Sequence, residues 1–173
     1  MDDQAVVACQ IDRPLRAAIT VEARCHLGVA VVAGVPPLLD DGTPFPTRWW
    51  LSCPLAGRRI GRLESVGGVK AMDRHIASDA VFAARMEATN ARYRAERDAL
   101  IPDDAGHRPT GGVAGTGGGV KCLHAHYADH AAGRDNPVGQ VVAPWIEPLD
   151  CTVPCVVEGA GGVTRNPAWS EPK

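Results

Sequence analysis

The chain has 173 residues, long enough for one domain with its own hydrophobic core, and carries 18 Lys and Arg against 20 Asp and Glu. This near balance gives no long-range field toward nucleic acid or an anionic membrane, so an electrostatically driven nucleic-acid binder is disfavoured. The longest apolar run, GVAVVAGV, is far shorter than the roughly 20 residues of a membrane span, and MDDQAVVACQ lacks the basic and apolar segments of a signal peptide. We therefore expect a cytoplasmic protein without a membrane span.

The first part of the chain predicts one short helix and three strands. Residues 2–11 favour a helix, although AVVACQI also suits a strand, and Pro14 ends the element in either case. The β-branched string AAITVEARC predicts a strand that ends at Cys25, and VAVVAG at 29–34 predicts a second. The Pro-rich VPPLLDDGTPFPT then turns the chain into a third strand, RWWLSC, which ends at Cys53.

The middle of the chain is helical in pattern. Apolar spacing predicts helices over 54–66 and roughly 69–77, and a longer helix capped by Ser78 or Asp79 that runs to about Leu100. Together with the strands, this pattern indicates an α+β fold in which a small antiparallel sheet packs with three to five helices.

The last third begins with a loop and contains one more helix. Residues 102–119, rich in Pro, Gly and Asp, predict the loop, and a short helix follows over roughly 120–132, ended by Gly133. We assign residues 1–139 to a single α+β domain. Residues 140–173 contain several Pro and Gly and predict a C-terminal tail that is extended or partly disordered.

The string VKCLHAHYADH, at 120–130, is the strongest concentration of metal-ligand residue types. On a helix, Cys122, His126 and His130 lie four residues apart and share one face, whereas His124 points about 200° away from Cys122. Clustered Cys and His in a reducing compartment favour metal ligation over disulfides.

A tetrahedral zinc site needs four such ligands, commonly from separate elements. The strand-end cysteines complete the set, so we predict a zinc site formed by Cys25, Cys53, Cys122 and His126 that braces the sheet against the helix. Iron suits the same soft thiolates. The alternative is that these cysteines are buried apolar residues.

Cys122 is the residue of this set that the sequence favours most. A cysteine in the first turn of a helix, beside Lys121, is stabilised as a thiolate by the helix dipole and the neighbouring charge. His126, one turn later, would make it a nucleophile with its base if the protein were a hydrolase. An open zinc with a bound water would need a general base, for which Glu64 and Asp129 are candidates.

The glycine-rich run GGVAGTGGGVK indicates a second kind of site. Backbone N–H groups of Gly117, Gly118 and Gly119 that lead into a helix, with Lys121 beside them, could bind phosphate or another anion. The run lacks the G-x-x-x-x-G-K-[ST] spacing, because Cys122 follows the lysine. A flexible linker is the alternative interpretation.

The remaining cysteines give weaker signals. Cys9 lies in an apolar segment and is most simply a core residue. The string CTVPC places Cys151 and Cys155 four residues apart, a spacing that could clip a metal, oxidise to a disulfide or leave two free thiols.

Three blocks, GTPFPTRWWLSCP, RLESVGG and GVKCLHAHYADHAAGRDNPVG, resemble the actinobacterial family called domain of unknown function number five hundred and one. The resemblance covers roughly residues 3–139 and implies a small cytoplasmic protein without an assigned activity. It also implies a second cysteine two residues after the first, in a string such as R-C-P-C-G. Here the string is RCHLG, so Leu27 takes that position, and His26 or His124 would have to replace the missing ligand.

Three classes of function are therefore compatible with the sequence. The first is a zinc-bound structural or adaptor module with a protein partner, the second a metal- or thiol-dependent hydrolase, and the third a regulator that binds phosphate or polyphosphate. Exposure of Cys122 would distinguish the first two, since a catalytic thiol must be accessible.

Overall fold

A computed structural model describes residues 1–172 and confirms the α+β class. Residues 1–172 form six α-helices, one 3₁₀ turn and five strands. In chain order these are α1 (Asp3–Ile11), β1 (Thr20–Arg24), β2 (Ala30–Gly34), β3 (Trp49–Leu51), α2 (Pro54–Ser65), α3 (Gly68–Ser78), α4 (Ala80–Asp98), the 3₁₀ turn (Val113–Gly115), α5 (Leu123–Ala131), α6 (Pro137–Ile146), β4 (Val156–Gly159) and β5 (Gly162–Arg165). None of these helices is both long enough and apolar enough to cross a membrane.

The main sheet is antiparallel, with β2 between β1 and β3. Every residue of β2 is buried, because the strand contributes to two hydrophobic clusters. Val32 belongs to the larger cluster, which the helices form with Trp49 of β3, while Ala33 packs with Val6 and Val7 of α1. The sheet is thus covered on both faces.

The larger cluster contains buried apolar residues of α2, α4, α5 and α6. Leu55, Tyr93, Tyr127 and Ile146 are each no more than 1 % exposed, which identifies this cluster as the main core. Burial of aromatic and branched side chains of this size supplies roughly 1.5–3 kcal/mol each. The core therefore holds the helices on the sheet independently of any metal.

The C-terminal part of the chain contains a helix and a β-hairpin, where the sequence predicted a tail. Helix α6 crosses the predicted boundary at 139: Asn136 caps it, and Val138, Val142 and Ile146 bury one face in the main core. The hairpin β4–β5 then packs Val156 into the cluster around α1. Pro and Gly mark the turns here, while apolar spacing decides the helix.

Candidate metal centre

Four of the six cysteines line one small cavity. Cys25 directly follows β1, Cys53 is the N-cap residue of α2, and Cys151 and Cys155 lie between α6 and β4. The free volume is about 10 Å³, which corresponds to one water-sized sphere. Three distant parts of the sequence thus place four thiols around space for about one atom.

Tight backbone geometry positions the first two cysteines. Cys25 opens the turn between β1 and β2: its N–H donates to the carbonyl oxygen of Val29 at 2.9 Å, and its own oxygen accepts from Gly28 at 2.9 Å. Gly28 has φ of +75°, a conformation that favours glycine. The N–H of Cys53 donates to the oxygen of Val31 of β2 at 3.3 Å, so β2 and the turn that leads into it hold the two residues.

Side chains of the domain hold the segment that carries the other two cysteines. Arg59 of α2 donates to the carbonyl oxygens of Ile146 at 2.7 Å and Pro148 at 2.6 Å, and its other terminal nitrogen contacts Asp150 at 2.8 Å. His26 Nε2 lies 3.0 Å from the carbonyl oxygen of Cys151. The segment is therefore docked on the helices and the sheet by directed hydrogen bonds.

Two of the sulfur atoms also accept hydrogen bonds. Gln10 Nε2 donates to Cys155 Sγ at 3.4 Å, and Trp169 Nε1 donates to Cys151 Sγ at 3.3 Å. Donors directed at sulfur stabilise the thiolate and are typical of the surroundings of metal-bound cysteines.

Burial has the opposite effect on the thiols. It raises the pKa of Cys53 to about 11, and it also raises the pKa of Cys155 against the donation from Gln10. Both residues are therefore thiols at neutral pH when no metal is bound. A metal ion would have to displace their protons, which makes its binding depend on pH.

The structure does not bring the predicted ligand set together. Cys25 and Cys53 share the cavity, but Cys122, His126 and His124 do not line it. Moreover, within residues 1–172 no group of three or more His, Cys, Asp or Glu side chains is arranged to hold a metal ion. This holds for the four cysteines of the cavity as well, so metal binding there would require their side chains to rotate.

Cys122 and His124 lie instead at the start of α5, beside Glu64 of α2. Glu64 Oε1 accepts from the N–H of Leu123 at 2.6 Å and lies 3.2 Å from His124 Nδ1. Cys122 is the N-cap residue in extended conformation and not part of the first turn. Burial, assisted by Glu64, raises its pKa although Lys121 acts in the other direction, and this disfavours the thiolate that the sequence predicted.

His126 belongs to a buried hydrogen-bond network. Asn136 determines which groups of the network donate and which accept. Its Oδ1 accepts from the N–H of Gly139 at 3.0 Å, and its Nδ2 donates to Asp129 at 2.9 Å. The same Oδ1 lies 3.1 Å from His126 Nδ1, which must therefore be the protonated nitrogen of a neutral ring. Burial lowers the pKa of His126 to about 4, and its Nε2 is buried without a partner in residues 1–172.

Asp129, a candidate general base in the sequence, is also part of this network. Arg92 of α4 donates to both of its carboxylate oxygens, at 3.2 and 2.6 Å. Burial raises the pKa of Asp129, and the donations from Arg92 and Asn136 counteract this. Within the described chain no hydrogen bond joins Cys122 to His126, so the structure provides no thiol–imidazole pair of the kind a hydrolase would use.

The predicted anion site at the start of α5 is occupied by carboxylates of the protein itself. Asp73 Oδ1 accepts from the N–H of Val120 at 2.8 Å, and Glu64 accepts from that of Leu123. Lys121 Nζ donates to the carbonyl oxygen of Ala114 at 3.3 Å. An anion at this helix end would therefore have to displace the two carboxylates. Gly117, Gly118 and Gly119 instead line a separate cavity against α3 and α4.

Comparison with known proteins assigns the chain to a family. The model of a family described as "Protein of unknown function (DUF501)" matches residues 21–144. The chain belongs to this family. No curated protein and no solved structure shows significant similarity to the chain.

The family match separates the four cysteines into two pairs. Cys25 and Cys53 lie in the matched DUF501 region, whereas Cys151 and Cys155 come after it in the chain. Leu27, at the position where the resemblance implies a second cysteine, lines the same cavity. The sequence analysis did not place Cys151 and Cys155 with Cys25 and Cys53, although the spacing of the two cysteines in CTVPC was a usable signal.

Proposed function

We propose that this DUF501 protein is a metal-bound structural or adaptor module, in which Cys25, Cys53, Cys151 and Cys155 bind one zinc ion. The ion would fasten the C-terminal segment to the DUF501 domain. The observation that supports this most is the convergence of four thiols from three parts of the chain on a cavity of single-atom size.

The donor set favours zinc in a closed, structural site. Four thiolates in a tetrahedron leave no open position for water or substrate, and Zn–S bonds of about 2.3 Å require only that the sulfurs converge. A cysteine side chain has one rotatable bond before its sulfur, so a change among staggered χ1 rotamers can redirect the sulfur while the backbone keeps its place. Gln10 and Trp169 already direct N–H groups at two of the sulfurs.

The surroundings of the cavity suit a structural ion. Apolar side chains from the sheet, α2 and the tail complete its wall, including Val29, Leu55 and Leu149. Such walls exclude water and thereby slow exchange of a bound ion and oxidation of its ligands. An adaptor role is the consequence, because a tail with a fixed path over the DUF501 domain presents one surface to a partner.

Elemental analysis of protein purified without chelator tests the proposal. The wild-type chain is expected to carry close to one zinc per molecule, and Cys53→Ser and Cys155→Ser to lose most of it. Cys122→Ser is the matched control, because Cys122 is also a half-buried thiol with a raised pKa but lies outside the cavity. It should retain the metal.

Three results would contradict the proposal. If the wild-type protein contained no bound metal, the four cysteines would be residues that only pack in the core. Loss of zinc in Cys122→Ser but not in Cys155→Ser would favour the ligand set predicted from the sequence. A mass two hydrogens below that of the reduced chain, in protein that holds no metal, would show a disulfide in the cavity.

A further inference from the structure

A second and larger cavity lies between α4, the end of α3 and the glycine segment 117–119. Its volume of about 300 Å³ is at the lower end of the range of small-molecule sites. It shares no residue with the thiol cavity, so a ligand could bind here whether or not the proposed metal is present.

One wall of this cavity is a polar stripe on α4 formed by Glu87, Asn90 and Arg94. Their spacing of three and four residues places them on one helix face. Asn90 Oδ1 accepts from the N–H of Val113 at 3.0 Å, which leaves its Nδ2 group free as a donor. Arg94 has no hydrogen bond or ion pair within residues 1–172.

The other arginines within α4 each pair with an acid, whereas Arg94 is exposed at the cavity without one among the described residues. Arg85 pairs with Asp135, Arg92 with Asp129, and Arg97 with Asp98. Arg94 is the only arginine of α4 that lines the cavity and the only one whose charge no acid of the described chain balances.

Three glycines form the opposite wall, and packing requires only Gly119, which has a positive φ and lies close to Asp73. A Cβ added to Gly117 or Gly118 would meet no atom within 4 Å, and neither residue has a positive φ. The backbone N–H groups of Gly117 and Gly119 donate to no acceptor in the described chain. Missing side chains at 117 and 118 therefore leave backbone donors accessible to a molecule in the cavity.

We infer that this cavity binds a small phosphate ester that carries hydroxyl groups, such as a sugar phosphate. The guanidinium of Arg94, the amide of Asn90 and the two glycine N–H groups provide donors from several directions, which suits the terminal oxygens of a phosphate. Glu87 lies two helical turns, about 10 Å along the axis, from Arg94 and accepts hydrogen bonds from hydroxyl groups at the far end of the ligand.

The site shares the glycine segment 117–119 with the anion site predicted from the sequence but not its cation or its helix end. It uses Arg94 and the glycine segment, while Lys121 donates elsewhere and the start of α5 is capped by acids. Residues 87, 90 and 94 gave no signal in the sequence, because a surface stripe of this composition is typical of any solvated helix.

Titration calorimetry of the full-length protein with glucose 6-phosphate, glucose and inorganic phosphate tests the inference. Glucose 6-phosphate should bind with saturation, inorganic phosphate more weakly, and glucose not measurably. Arg94→Ala should weaken glucose 6-phosphate binding at least tenfold, and Gly118→Val should abolish it. Glu87→Gln should weaken the binding of the sugar phosphate but leave that of inorganic phosphate unchanged or slightly stronger.

Matched controls exist for both kinds of substitution. Arg74→Ala removes an exposed arginine of α3 outside the cavity, and Gly106→Val alters a loop glycine that also has open space and no positive φ. Both should bind as the wild type does. The inference is overturned if glucose 6-phosphate shows no saturable binding up to roughly 10 mM, or if Arg94→Ala binds it as tightly as Arg74→Ala does. Melting temperatures of all variants, measured in parallel, show that each is folded.

Discussion

At the scale of single residues, three polar side chains of the HAHYADHAAGRDN string form a buried hydrogen-bond network. His126, Asp129 and Asn136 are each fully buried. Asn136 forms hydrogen bonds with both of the other two side chains. Arg92 supplies the charge that lets a carboxylate remain in the core. Of the predicted ligands, His126 is thus hydrogen-bonded through Nδ1 in this network, while its Nε2 has no partner within residues 1–172.

The protonation of His126 gives a prediction about pH. The pKa of this residue is about 4 in the folded chain, against 6.5 for an unperturbed histidine, because burial disfavours the charged ring. Between these values the unfolded chain binds a proton that the folded chain does not, so the free energy of unfolding falls as the pH drops from 6.5 toward 4. Relative to pH values below 4, the titration of His126 adds about 3 kcal/mol to the free energy of unfolding, and this amount is fully present above pH 6.5.

Urea unfolding at pH 7.0 and 4.5 checks this prediction. His126→Gln should lower stability at pH 7, since the network loses its imidazole, but its stability should fall less than that of the wild type between the two pH values. Nitrogen-15 spectra of the imidazole should show a proton on Nδ1 and none on Nε2. An ordinary His126 titration near pH 6.5 in the folded protein would contradict the assignment.

At the scale of elements, close contact between α5 and α6 depends on one glycine. A Cβ added at Gly139 would clash with the Cβ of His130 and lie 2.6 Å from the carbonyl oxygen of His126. Gly61, in the interior of α2, has no atom within 4 Å of such a Cβ. The two glycines therefore serve different purposes, and only the first is required by packing.

Alanine substitution should separate these two cases. Gly139→Ala should lower the free energy of unfolding by about 2 kcal/mol or more, because α6 must move away from α5. Gly61→Ala should raise it by up to about 1 kcal/mol, through the higher helix propensity of alanine. Chemical denaturation measures both, and equal effects of the two substitutions would show that α5 and α6 do not pack closely at Gly139.

At the scale of the whole molecule, Arg59 provides three of the hydrogen bonds that fix the C-terminal segment to the DUF501 domain. Its three hydrogen bonds reach two carbonyl oxygens and a carboxylate of the segment, and its side chain is only 16 % exposed. The proposed zinc ion would add a second attachment a few residues later.

Arg59→Lys should loosen this segment, because an ammonium group cannot reach three acceptors in the planar geometry of a guanidinium. Amide hydrogen exchange in residues 147–156 should become faster, and most strongly in protein treated with a chelator. Arg62→Lys is the control, since Arg62 is exposed and contacts only Glu171 of the tail. Unchanged exchange in the metal-free Arg59→Lys variant would show that the segment is held by apolar contacts instead.

The order of the main elements was predictable from the sequence because local signals carry it. Pro54 and Asp79 begin helices as their types suggest, and the β-branched strings form the central sheet. Cys25 and Cys53 also lie near the ends of β1 and β3, as the sequence predicted. Helix α6 was not predicted, since Pro144 and nearby Pro and Gly residues masked its apolar spacing.

What the sequence determined by itself is therefore the fold class, the family and the types of residue available for a site. Only the tertiary structure decided which of these residues meet. Cys151 and Cys155 join Cys25 and Cys53 because Arg59 and the buried Val156 bring the tail back across the sheet. Cys122 and His126 do not meet, because Cys122 ends the loop before α5 while His126 lies in the core, hydrogen-bonded to Asn136. Contacts between distant segments arise from packing of the whole chain, and local spacing does not contain that information.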